Sequence, residues 1–206
     1  MAQFDDNWNR RSAAVQALAE GWKHDPETLP ILKQVAQSDD NPAVRIGAVQ
    51  ELARGWKDDP ETLPILQHLA QSDDNSGVRR AAVKELARGW ADDPTTLPLL
   101  KHLAQSDDNW AVRRAAVDEL ALGWKDEPGI FEWLGDIAIN HSFERQFDSP
   151  DYPRQTLLEI MLKQYPDRPK TLVRIQVFDW GIREGMKKSQ QWADRASRKK
   201  AIALLP

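Results

Sequence analysis

The dipeptide Gly-Trp recurs at Gly21-Trp22, Gly55-Trp56, Gly89-Trp90 and Gly123-Trp124, each time 34 residues further on. The block Asn41–Asp74 matches the block Asn75–Asp108 at 25 of 34 positions. A period of this length marks a solenoid, in which one supersecondary unit is too small to bury its own apolar face and stacked neighbours do it together. The units are Asn7–Asp40, Asn41–Asp74, Asn75–Asp108 and Asn109–Ser142, the last decaying after Pro128.

Each unit reads as two helices. Asn41 suits an N-cap and Pro42 the first helical position. Val44, Ala48, Val49, Leu52 and Trp56 then fall on one helical face. Asp58 and Asp59 end that helix and Pro60 begins the next, whose apolar side is Leu63, Leu66 and Ala70. Pro64 marks either a kink or a delayed start. Gly55 inside an apolar face points to close packing beside Trp56, since glycine there costs about 1 kcal/mol against alanine. The four Gly-Trp tryptophans are expected to pack between units. The expected fold is an all-α, right-handed α-solenoid.

Asp39, Val44 and Arg45 recur as Asp73, Val78 and Arg79, and as Asp107, Val112 and Arg113. A proline recurs early in the other helix at Pro30, Pro64 and Pro98. In these features the chain resembles HEAT repeats, strongly over about residues 1–142 and moderately over 154–175. The resemblance implies a hydrogen-bonded ladder of Asp39, Arg45, Asp73, Arg79, Asp107 and Arg113. It also implies that the helices carrying these arginines line the concave surface. More narrowly, GWKDDPETLPIL and QSDDNWAVRRAAV resemble HEAT arrays attached to cyanobacterial NACHT-type NTPases, where the array is thought to sense a partner. No GxxxxGK[ST] occurs in this chain.

The repeat breaks at both ends. Arg10 stands where later units have valine, and Ala2–Asn7 aligns with the turn Ala70–Asn75. Two readings stand: a polar terminal cap, or a piece of a longer array. Residues 143–173 read as a degenerate repeat with a loop insertion around 140–153. Residues 174–206, carrying net charge +5 against −9 for the remainder, read as a basic helical cap or tail.

The chemistry is sparse. There are no cysteines, so disulfides, thiol nucleophiles and Cys-ligated metals are excluded. His68 and His102 are equivalent positions on helices about 10 Å apart, too far for one zinc and without a third ligand. The Asp-Asp pairs repeat at every turn, which suits a ladder and helix N-termini rather than a catalytic dyad. No cofactor is expected. No apolar run approaches the roughly 18 residues of a membrane span, and MAQFDDNWNRR has no apolar stretch of a secretory signal. A cytoplasmic location follows as an expectation. The net charge of −4 argues against nucleic acid as partner.

Differences between near-copies concentrate at four positions spaced by four: Trp8, Ser12, Gln16 and Glu20; Pro42, Ile46, Gln50 and Arg54; Ser76, Arg80, Lys84 and Arg88; Trp110, Arg114, Asp118 and Leu122. At 100° per residue this row lies on one helix face. Trp8 and Trp110 occupy a first helical position that no packing rule assigns to an aromatic. Tryptophan and arginine are enriched at binding hot spots. The expected function is a non-enzymatic scaffold that binds a protein or peptide along the concave face, as the sensor part of a larger NACHT-type assembly. Other classes compatible with the fold are a HEAT-like bilin lyase, an alkylpurine DNA glycosylase, and a fragment without autonomous function.

Overall fold

The computed structural model describes residues 5–140, 161 and 163–165. These contain eight helices and no strand: α1 (Trp8–Gly21), α2 (Thr28–Ser38), α3 (Pro42–Gly55), α4 (Thr62–Ser72), α5 (Ser76–Gly89), α6 (Thr96–Ser106), α7 (Trp110–Gly123) and α8 (Ile130–Asn140). The chain divides into two compact units, Met1–Gly123 and Trp124–Pro206, so the division falls inside the fourth sequence unit. The 140–153 loop beyond Asn140, most of 143–173 and the whole basic tail lie outside the described residues.

The repeated asparagine starts every odd-numbered helix. Asn7, Asn41, Asn75 and Asn109 each accept, through Oδ1, the main-chain N–H two residues on, at 3.0, 2.8, 2.8 and 2.9 Å. That satisfies one of the four donors a helix start leaves open. The even helices start differently. Asp25, Asp59 and Asp93 fold a turn in which the aspartate Oδ1 accepts from the residue two on (2.9, 3.1 and 2.9 Å). Its carbonyl accepts the N–H of Thr28, Thr62 or Thr96. Pro60 therefore belongs to the turn, and the helix begins at Thr62. Pro64 is its third residue, within the first turn, where a missing N–H breaks no helical bond. The delayed start is the correct alternative, and α4 needs no kink.

Helix pairing follows the apolar stripes. α2 packs on α3, α4 on α5 and α6 on α7, while α1, α3, α5 and α7 stack side by side in one layer. Leu32, Leu52, Leu66, Leu86, Leu100 and Leu120 fill this core without solvent exposure, each worth about 2–5 kcal/mol against alanine. The first unit is thus an α-solenoid built from the hairpins α2–α3, α4–α5 and α6–α7, with α1 as an odd-class helix beside the first of them.

Two local expectations need correction. A Cβ placed on Gly21, Gly89 or Gly123 would meet nothing within 4 Å, and on Gly55 only Lys23 Cε at 3.9 Å. Close packing therefore does not explain these glycines. The Gly-Trp tryptophans are also not equivalent. Trp90 is buried at 9% exposure, whereas Trp22 is 57% exposed. Lys23, from the preceding turn, lies over the Trp56 ring at 5.9 Å.

In the second unit, Gly129 takes φ +82° immediately before α8, a conformation that favours glycine. Ile130, Phe131, Leu134 and Ile137 of α8 are buried, as are Met161 and Tyr165. The rings of Phe131 and Tyr165 meet edge-on with centroids 5.0 Å apart.

Candidate interaction face and its charge ladder

The row of variable positions lies on the odd helices, and a line of buried ion pairs holds those helices in register. Arg45 donates through Nε to Asp73 Oδ2 (3.0 Å) and through Nη2 to Asp73 Oδ1 (2.7 Å). Its Nη1 donates to the main-chain oxygen of Asp39 at 2.8 Å. Arg79 repeats the pattern on Asp107 (2.9 and 2.9 Å) and on the Asp73 carbonyl (2.9 Å). Each arginine therefore fastens two successive turns. Its carboxylate partner lies 28 residues ahead, and the aspartate six residues behind contributes only its carbonyl. Arg113 likewise donates to the Asp107 carbonyl at 2.6 Å.

The ladder has one more rung than the sequence reading assigned. Arg11 binds Asp39 through the same two-point contact (2.7 and 2.8 Å) and the Asp5 carbonyl at 2.7 Å. It stands 34 residues before Arg45, so the register alone identifies it. Asp5 itself is met by Arg10 Nη1 at 3.4 Å.

Burial alone would raise the carboxyls of Asp39, Asp73 and Asp107. The arginine hydrogen bonds, and then the N–H groups of Asn41, Asn75 and Asn109, outweigh it and hold all three below the usual aspartate range. The second acids also take part: Asp74 accepts from Arg45 at 2.6 Å and Asp108 accepts from Arg79, while both stay exposed. Thus Asp74 and Asp108 do more than sit near a helix N-terminus.

Within the row, Trp8 and Trp110 are 43% and 51% exposed and Leu122 is 55% exposed. Gln16, Gln50, Arg54, Arg80, Arg88 and Arg114 are exposed too. Ser12 and Ile46 are half-buried in the seams between helices. A Cβ on Gly47 would lie 3.9 Å from Ser12 Oγ, and one on Gly77 would lie 3.5 Å from Ile46 Cδ1. Lys84 and Asp118 are half-buried as well.

Three arginines of the row face carboxylates. Arg54 pairs with Glu51 and reaches Glu20 at 4.0 Å, Arg88 reaches Glu119 at 3.9 Å, and Arg114 reaches Asp118 at 3.3 Å. Two of these acids, Glu51 and Glu119, belong with Glu85 to a file that sequence reasoning missed, at equivalent positions of α3, α5 and α7. Their signal was available, since the glutamate recurs in three successive units next to positions that vary. Burial raises the carboxyls of Glu85, Asp118 and Glu119, with Arg88 opposing most at both glutamates and Arg114 at Asp118. Asp118 Oδ1 is buried without a hydrogen-bond partner. The face thus carries exposed arginines above more deeply buried carboxylates, with an exposed tryptophan at the start of α1 and of α7.

His68 and His102 are exposed, and His102 Nε2 lies 3.1 Å from Ser106 Oγ on its own helix. Among the described residues no group of three His, Cys, Asp or Glu is placed to hold a metal ion. None of the described helices is long and apolar enough to cross a membrane.

The family model for HEAT repeats matches three overlapping segments, residues 1–87, 29–121 and 75–139. No curated protein and no solved structure matches the chain.

Proposed function

The chain belongs to the HEAT-repeat family, and we propose that it is a non-enzymatic scaffold that binds a protein or peptide along the face of its odd helices. The observation that carries this reading is the placement of Trp8 and Trp110. Two large aromatics stand exposed at the first position of α1 and of α7, where neither capping nor core packing calls for them. Aromatic anchors separated by a polar band are what an extended protein ligand engages, and solenoids offer such surfaces along their inner wall. In HEAT stacks that wall is the concave side, and on this reading Ser12, Gln16, Ile46, Gln50, Arg54, Arg80, Lys84, Arg88, Arg114 and Asp118 form the ligand surface between the anchors.

The likeness of GWKDDPETLPIL to arrays on cyanobacterial NACHT-type NTPases supports a narrower form: a sensor module acting in the cytoplasm for a larger assembly. Affinity capture with the native chain and with a folded Trp8→Ala/Lys84→Ala/Trp110→Ala variant tests the reading. A protein retained by the native chain and lost with the variant supports it. An identical set of captured proteins contradicts it.

A further inference from the structure

The ion pairs of the odd-helix face are layered. Arg54 is 64% exposed and its partner Glu51 only 10%, while Arg88 is 63% exposed and Glu119 only 14%. Arg114 is likewise more exposed than Asp118. Arg80 is exposed too and has no ion pair among the described residues. A ligand that touches α3, α5 and α7 therefore meets guanidinium groups first. The carboxylates behind them hold those groups in place without presenting themselves.

The repeat sets the spacing. Arg54 and Arg88 are equivalent residues of α3 and α5, and Arg80 and Arg114 of α5 and α7. These helices stack side by side, with axes about 10 Å apart. Along α5, Arg80 and Arg88 are separated by about 12 Å at about 1.5 Å per residue. The four cations thus form a diagonal band about 23 Å long, from the end of α3 to the start of α7, where Trp110 stands one turn before Arg114.

We propose that this band receives an extended acidic segment of the protein ligand; this rests on the odd-helix face binding a protein at all. At about 3.3 Å per residue, some seven extended residues span the band, and carboxylates three residues apart match cations about 10 Å apart. A guanidinium held from behind offers its remaining N–H donors to a second carboxylate in front. A basic ligand finds no such match, because the arginines screen Glu51 and Glu119. Residues 174–206 of the chain itself carry net +5, the same sign as the band. The turn acids Asp74 and Asp108 of a second copy are already engaged by Arg45 and Arg79. Exposed Glu20 on α1 closes the band on that side, and the whole chain carries −4. Both favour a short acidic segment over a nucleic-acid strand, whose charge continues at one phosphate per about 3.4 Å.

The probes are nonapeptides carrying a neutral fluorophore, titrated with the 206-residue protein by anisotropy. One is Leu-Glu-Asp-Ser-Glu-Asp-Ser-Glu-Leu; the other two replace every acid by its amide or by lysine. The acidic peptide is expected to bind saturably at low salt, at least tenfold more tightly than the others. Arg80→Ser with Arg114→Ser should weaken it at least tenfold. Arg80→Glu with Arg114→Glu should shift the preference to the lysine peptide, with circular dichroism checking that both variants keep their helices. Absence of saturable binding overturns the proposal, as does binding that the serine variant leaves intact. Equal binding of the acidic and amide peptides, weakened by Trp110→Ala, also overturns it, while the face stands as a protein-binding surface. A single-stranded oligonucleotide that displaces the acidic peptide at lower concentration overturns it by making nucleic acid the occupant. Self-association of the chain that the serine variant abolishes overturns it by making a second copy the occupant.

Discussion

Arg45 and Asp73, 28 residues apart in the chain, face each other through two parallel hydrogen bonds of 3.0 and 2.7 Å with side chains only 9% and 5% exposed. Removing one partner strands the other charge out of water. Asp73→Ala is therefore expected to cost about 3–5 kcal/mol, the range for a broken buried pair. Arg45→Met with Asp73→Leu should cost less than either single change, because both charges leave together. Equilibrium denaturation of the native chain, the three single variants and the double variant measures this. A loss below about 1 kcal/mol for Asp73→Ala would show that the ladder holds nothing together.

The two sets of carboxyls pull the pH profile in opposite directions. Asp39, Asp73 and Asp107 are held below their ordinary 3.8. Their stabilisation is complete above that value and disappears as pH falls through their lowered folded values. Glu85 is raised above its ordinary 4.5, first by burial. Its contribution is complete below 4.5 and disappears as pH rises through the raised value. Glu85→Gln should thus raise the melting temperature at pH 7 and leave it unchanged near pH 4. A gain that grows on acidification would reverse the assigned sign.

Gly89 ends α5 with open space where a Cβ would stand. Alanine there removes backbone freedom from the unfolded chain without a clash. Gly89→Ala is expected to stabilise by about 0.4–1 kcal/mol, read as a shift in the denaturation midpoint. A loss of similar size would mean that the glycine serves a packing role after all.

Leu18 and Leu86 are the same repeat position in different surroundings. Leu86 is fully buried and Leu18 half-buried. Truncation to alanine should cost about 2–5 kcal/mol at Leu86, and less than half as much at Leu18. Equal costs in paired denaturation curves would mean that α1 is covered in solution as α5 is.

Much of this architecture is legible in the sequence. The 34-residue register places the asparagine caps, the buried leucines and every ladder residue, Arg11 included. Register does not say which turn a buried arginine reaches. Asp39 is six residues from Arg45 and Asp73 is 28, and only the stacking of hairpins decides for the second. Pro64 stayed ambiguous because an acceptable helix start at Pro60 competes with the Asp59 turn, whose hydrogen bonds become visible only in three dimensions. The Glu51, Glu85 and Glu119 file escaped because attention to variable positions passes over a constant neighbour. The exposure of Trp22 was hidden for a similar reason, since four identical dipeptides suggest four identical environments.

The central claim is that the odd-helix face binds a protein ligand, and oxidative footprinting of the tryptophans in the captured complex tests it most directly. Trp8 and Trp110 are both solvent-exposed in the free chain and should lose reactivity together when the ligand binds, with Trp22 still reactive. Undiminished labelling of Trp8 and Trp110 in a complex that forms would contradict the account and place the ligand elsewhere.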